Sequence, residues 1–143
     1  MSHAGFLRDH WDGDDDAFLA LVRALHALGD ALADTPPRQV PAALDAAVPK
    51  LPATGRDSAL LRFVLQLALA PRTMTGEAVA RLQAEAGFDD RAVHDIVHVV
   101  ACFSYMNRLA DGVGVTLLEG RRSLAEELFG AEAVAAHLDW GQR

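Results

Sequence analysis

The amino-acid sequence predicts an all-α fold, and three observations carry the prediction. Alanine and leucine dominate a hydrophobic content of 51%, with little β-branched or aromatic clustering outside one segment, a composition that favours helix over strand. Apolar residues recur at three- and four-residue steps in successive segments, the spacing of a buried helical stripe. Prolines, glycines and short polar residues punctuate those segments where helices would start and stop. At 143 residues the chain suits a single domain, large enough to hide roughly two thirds of its unfolded surface.

Residues 1–14 show no period and gather acidic groups, so an acidic arm is expected ahead of one helical domain over residues 15–143. The run Asp12-Gly13-Asp14-Asp15-Asp16 lacks the Asp-x-Asp-x-Asp-Gly register and twelfth-position Glu of a calcium loop. Its carboxylates instead suit the positive start of a helix. From Asp16 to Ala33, Phe18, Leu21, Val22, Leu25, Leu28 and Leu32 form the first apolar stripe, which ends at Pro36-Pro37. A short helix is expected near Pro41 to Val48. Thr54 with Asp57 resembles a capping box for the next helix, which carries Leu60, Leu61, Val64, Leu65 and Leu67 and stops before Pro71. Thr75 can cap a shorter helix closed by Gly87 in the left-handed region.

Asp89 or Asp90 then caps a long helix to about Ala110, apolar around most of its circumference through Val93, Ile96, Val99, Phe103 and Met106. Such a helix is expected at the centre of the bundle, with apolar faces left over for assembly. Past Gly112 and Gly114, a second capping box, Ser123 with Glu126, opens a terminal helix through Leu124, Leu128, Val134 and Leu138, with Gly130 as a bend.

The stretch from Leu60 to Val115 resembles the second half of the AhpD-like superfamily, which includes carboxymuconolactone decarboxylases and peroxidase-related proteins. The resemblance rests on Leu60 to Pro71 (LLRFVLQLALAP), on Thr75, Val79 and Leu82 running into Ala86-Gly87-Phe88-Asp89-Asp90, and on Phe103 to Gly114, with Asn107-Arg108 and Asp111-Gly112 its most specific part. It implies a bundle of about six helices that assembles into homo-oligomers. In that family a Glu, a Cys-x-x-Cys pair and a His near one helix start resemble a disulfide relay, in which the dipole lowers one thiol's pKa and the second resolves the mixed disulfide. The matching region here, in or near the first helix, offers Leu, Val and Ala and no cysteine. His26 lies there with no thiol beside it, so the family role is not carried over to it.

Cys102 is the sole cysteine, so no intrachain disulfide forms and a reducing cytoplasm is expected. A formal charge of −7 disfavours nucleic acid. No apolar run reaches the roughly 18 residues of a membrane span, and the N-terminus lacks the apolar core of a secretory signal.

His94, His98 and Cys102 follow at four-residue intervals, one stripe drifting about 40° per step. One reading makes His98 a base that activates Cys102, and another makes the trio ligands of a soft divalent metal. A third, preferred over both, leaves the histidines partly exposed and Cys102 as a small core hydrophobe, with no metal and no cofactor. Asn107 and Arg108 can orient a carboxylate or carbonyl ligand. The three-residue step from Arg108 to Asp111 favours instead a polar knot that fixes the helix end. Tyr105 can join Asn107 and Arg108 at a ligand pocket, although Tyr105 and Met106 are expected in the core. Trp11 and Trp140, near the two termini, can pack on a neighbour, although single exposed aromatics need no special explanation.

The expected function is therefore that of a divergent AhpD-like protein without the redox pair and without thiol peroxidase activity, with a small molecule as ligand. Two alternatives belong to other classes. One is a thiol-independent enzyme similar to the lactone decarboxylases, with His26, His94 or His98 as acid or base. The other is a non-catalytic binding or assembly protein.

Overall fold

Three short 3-10 turns break the first half of the chain, Pro37–Gln39, Val48–Lys50 and Pro71–Thr73, each with a proline in its first or second position. The computed structural model describes residues 15–114, together with 123, 126–127 and 130–131. Among these there is no strand, and the α-helices are α1 (Asp15–Leu32), α2 (Val40–Ala47), α3 (Gly55–Leu69), α4 (Gly76–Ala86) and α5 (Asp90–Gly112). The expected sixth helix falls largely outside the described residues. Ser123, Glu126 and Glu127 are helical, and Gly130, at φ 88°, donates its N–H to the Glu126 carbonyl, closing a turn. The acidic arm, Trp11 and Trp140 also lie outside them.

Local chemistry sets the helix starts. Thr54, Thr75 and Asp89 each take extended backbone and accept a hydrogen bond from the amide three residues on, at Asp57, Ala78 and Ala92 respectively. Each satisfies one of the donors that a helix start leaves unpaired. Gly87 closes α4 at φ 70°, a conformation that side-chain-bearing residues seldom adopt.

Two apolar clusters form the core. The first joins Leu32 of α1, Val40 and Leu44 of α2, Val48 and Ala70, with Leu65 of α3 packed against it. The second joins Ala59 and Phe63 of α3, Leu82 and Ala86 of α4 and Val93 of α5. Because α3 contributes to both clusters and packs against α2, α4 and α5, it is the central helix. This corrects the expectation for α5, in which Val93 is the sole residue buried. The reason is length: α5 has 23 residues and α3 has 15, roughly 35 Å against 22 Å. The second half of α5 therefore outruns its partners among the described helices, and Tyr105 and Met106, expected in the core, are exposed.

Polar ties reinforce the three-helix packing. Arg62 of α3 meets Glu85 of α4 at 2.8 Å, and Arg81 of α4 reaches Asp45 of α2 and Glu85 at 2.9 Å each. Arg62 Nε also lies 3.1 Å from Asp45, yet its N–H is not aligned on that oxygen and makes no hydrogen bond. The ion-pair contact is therefore the weaker half of the Arg62 grip. At the N-terminus of α3, the Arg56 guanidinium lies 4.8 Å from the ring centroid of Phe88, a cation–π contact with the α4–α5 turn.

Hydrogen bonds from Arg81 first, and then from Arg62, hold the Glu85 carboxyl below its ordinary value of 4.5. A depressed folded-state pKa contributes stability that is complete above the unfolded value and is lost as pH falls through the folded one. The stability difference between wild type and Glu85→Gln is thus expected to be constant well above pH 4.5 and to shrink below it. Its magnitude is small, because the carboxylate is 40% exposed and screened by solvent. Urea titrations of both proteins across that range check this, and a difference that widened on acidification would contradict the assignment.

Candidate functional site

Where α5 runs past the end of α3, the two helices diverge over a cleft of about 480 Å³. Leu67, Ala68 and Pro71 line its α3 side, and Val97, Val100 and Ala101 part of its α5 side. Its polar groups come from one end of α5, where Ser104, Tyr105 and Arg108 join the lining. The α5 residues fall at three- and four-residue steps and so occupy one helical face.

The α3 wall is held by a polar staple. Gln66, buried at the end of α3, donates from Nε2 to the Thr73 carbonyl at 3.1 Å and to Thr73 Oγ1 at 3.2 Å. The Thr73 hydroxyl in turn donates to the Ala70 carbonyl at 2.7 Å. Ala70, 1% exposed, leaves helical geometry because Pro71 follows. The wall residues Leu67, Ala68 and Pro71 therefore rest on a backbone with its hydrogen bonds satisfied.

Two of the three expected ligand-binding residues, Tyr105 and Arg108, meet in this cleft, whereas Asn107 is exposed and does not line it. The expected knot of Asn107, Arg108 and Asp111 does not form. Arg108 Nη1 donates instead to the Ser104 carbonyl, at a long 3.4 Å. Helical side chains lean toward the N-terminus of their helix, so Arg108 leans one turn back along the cleft and away from Asp111. Among the described residues no carboxylate pairs with Arg108. A guanidinium that is permanently charged and poorly matched to one carbonyl retains donors for a second partner.

His98 and Cys102 lie outside the cleft lining, and both are exposed, which corrects the expectation of Cys102 in the core. His98 Nδ1 is 2.9 Å from the His94 carbonyl. A carbonyl only accepts, so Nδ1 carries the proton and Nε2 is the basic nitrogen. The His94 and His98 rings stack at 4.1 Å with a 43° tilt. His94 lies 3.8 Å from Asp95, and His26 lies 3.6 Å from Asp30 on α1. No hydrogen bond joins His98 to Cys102, and no three His, Cys, Asp or Glu side chains among the described residues converge to hold a metal ion. The four-residue stripe of His94, His98 and Cys102 runs along α5 as its spacing implies, with the two rings in contact and Cys102 exposed one turn further on.

Sequence reasoning missed Ser104 and the whole α3 wall. A signal for Ser104 existed, four residues before Arg108 on the same helical face; for Leu67, Ala68 and Pro71 none did, since only the crossing of two helices makes them neighbours. No described helix is long and apolar enough to cross a membrane. Comparison with family models, with curated proteins and with solved structures finds no match for this chain.

Proposed function

We propose that this chain is a divergent AhpD-like helical protein without thiol peroxidase activity, and that its cleft binds a small amphipathic carboxylate. The observation that carries the reading is Arg108, a cation with no carboxylate partner among the described residues, set at an apolar cleft of about 480 Å³. Leu67, Val97 and Val100 supply surface for an acyl or aromatic body, and Tyr105 and Ser104 add hydroxyls beside the guanidinium. This is the usual division of labour in ligand sites, in which an apolar lining holds the body and few polar groups orient it. In a chain of net charge −7, a guanidinium at the cleft also gives an anionic head a defined place to settle.

The absence of peroxidase activity is supported by the single cysteine, since an oxidised Cys102 has no intrachain thiol to resolve it. A reducing cytoplasmic setting and homo-oligomeric assembly belong to the same proposal. The lactone-decarboxylase-like alternative has less support, because a catalytic His98 would have to reach a substrate held in a cleft that it does not line.

The test uses decanoate as probe and 1-decanol as its neutral counterpart, measured by calorimetry on the full chain. Arg108→Gln is expected to weaken decanoate binding about tenfold or more, to leave decanol binding unchanged, and to keep the helical circular dichroism. Asn107→Ala is expected to leave both ligands unaffected. Equal decanoate affinity in wild type and Arg108→Gln would end the carboxylate reading. Peroxide consumption with a dithiol donor is expected to be absent, and turnover that required Cys102 would overturn that part of the proposal.

A further inference from the structure

His94 and His98 stand one turn apart on α5, exposed, outside the cleft lining and outside both apolar clusters. What distinguishes the pair is how its ring nitrogens are used. His98 Nδ1 donates to the His94 carbonyl at 2.9 Å, and His94 Nδ1 faces the Asp95 carboxylate at 3.8 Å. Each ring thus turns its Nδ1 toward a protein oxygen, which leaves the Nε2 lone pair of each ring for a further partner. A carbonyl or carboxylate on the other ring nitrogen is the usual support of a metal-ligating imidazole.

We infer that Nε2 of His94 and Nε2 of His98 together hold a divalent transition-metal ion of the zinc class, with water in its remaining positions. Two histidines four residues apart share one face of a helix, the step by which a single helix offers a pair of imidazoles to zinc. A ring nitrogen binds a metal in the plane of its ring. Parallel rings therefore cannot share an ion, whereas planes inclined at 43° cross. Zinc–nitrogen bonds of about 2.1 Å at tetrahedral angles set two ligand nitrogens about 3.4 Å apart. Ring centres 4.1 Å apart bring ring edges into that range.

Charge points the same way. Asp90 and Asp95 flank the pair against Arg91, in a chain of net charge −7, so the local field favours a dication. With fewer protein ligands than a structural or catalytic zinc site, the pair binds its ion reversibly, and the consequence falls on α5 itself. Val93, next to His94, is the buried side chain of α5, and an ion spanning the turn from His94 to His98 clamps the segment that anchors the helix. An ion bound only by the folded chain raises its stability by mass action. Neither histidine lines the cleft, so the site is independent of the carboxylate reading.

Zinc ion alone, titrated calorimetrically into the full chain at neutral pH with thermal melts alongside, tests the site. His94→Gln and His98→Gln are each expected to weaken zinc binding about tenfold or more, since a lost ligand costs at least what a lost supporting partner does. Both should also lose the rise in melting temperature that zinc gives wild type. His26→Gln, on α1, should behave as wild type does. A chain carrying both His98→Val and Val99→His keeps its number of histidines but sets the pair about 140° apart round the helix, and it too should lose the site. Helicity and decanoate binding should be unchanged in every variant, which separates a failure here from a failure of the cleft. Equal zinc affinity in wild type and His98→Gln, or zinc retained by the displaced pair, would overturn the inference by placing the ion elsewhere or making it adventitious. Loss of binding in Cys102→Ser would overturn it by moving the ion to the thiol.

Discussion

Replacing Phe63 with alanine is expected to lower the stability of the fold by about 4 kcal/mol, the largest effect of any single truncation in the described core. Phe63 is 4% exposed and belongs to the cluster in which α3, α4 and α5 meet through Ala59, Leu82, Ala86 and Val93. Removing the ring withdraws apolar burial and leaves a void that close-packed helices fill only partly. Position matters as much as volume. Among its described residues α5 has a single buried side chain, Val93, and that side chain packs in the Phe63 cluster, so the anchor of the whole helix passes through this contact. Amide exchange in the first half of α5 should therefore accelerate in Phe63→Ala more than exchange in α2. Urea denaturation gives the total, with an unchanged m-value if the fold survives. A loss below about 1.5 kcal/mol, outside the usual range for a buried ring, would show that α5 is held by other contacts.

What could be read in the sequence was the part of the fold that local chemistry decides. Thr54, Thr75, Asp89 and Gly87 act where they were expected to act, because a cap needs only a hydroxyl, a carboxylate or a missing side chain at the right offset. The helix limits follow for the same reason, within a residue or two. Apolar periodicity was less informative about α5. Period establishes that a face needs cover and is silent on what supplies it, and a helix apolar all round reads alike whether it is central or simply longer than its neighbours. The position of α3 at the centre depends on its meeting α2 on one side and α4 and α5 on the other, a property of the packing and not of its own residues.

The candidate site divides along the same line. Arg108 was legible as a residue suited to bind an anion, because guanidinium chemistry does not depend on the fold. Its pairing with Asp111 was a matter of spacing alone, and spacing omits the lean of side chains toward the helix N-terminus. Ordered pairs on a helix favour acid before base; Arg108 before Asp111 is the opposite order, and the guanidinium is found beside Ser104. That lean turns a candidate structural knot into a cleft-lining cation. The two faces of α5 then differ in character. One presents Ser104, Tyr105 and Arg108 to the cleft, and the other leaves Val99, Phe103 and Met106 exposed.

The second large effect is expected at Leu44→Ala, about 3 kcal/mol. Leu44 is wholly buried in the other cluster, among Leu32, Val40, Val48 and Ala70, with Leu65 of α3 against it. Truncation there should loosen α1 and α2 while leaving decanoate binding intact, since none of these residues lines the cleft. The comparison with Phe63 also tests the architecture. The two clusters share α3 but no buried side chain, and sites without shared partners usually combine to within about 0.5 kcal/mol. The full truncations together would approach the whole stability of a small domain, so the cycle is better run with Leu44→Val and Phe63→Leu. Additive losses would mean that α3 serves two cores that respond separately. A coupling above about 1 kcal/mol would mean that the helix shifts as a rigid spine and carries strain from α2 to α5, in which case a lesion at Leu44 should also weaken the hold on Val93 and disturb the cleft.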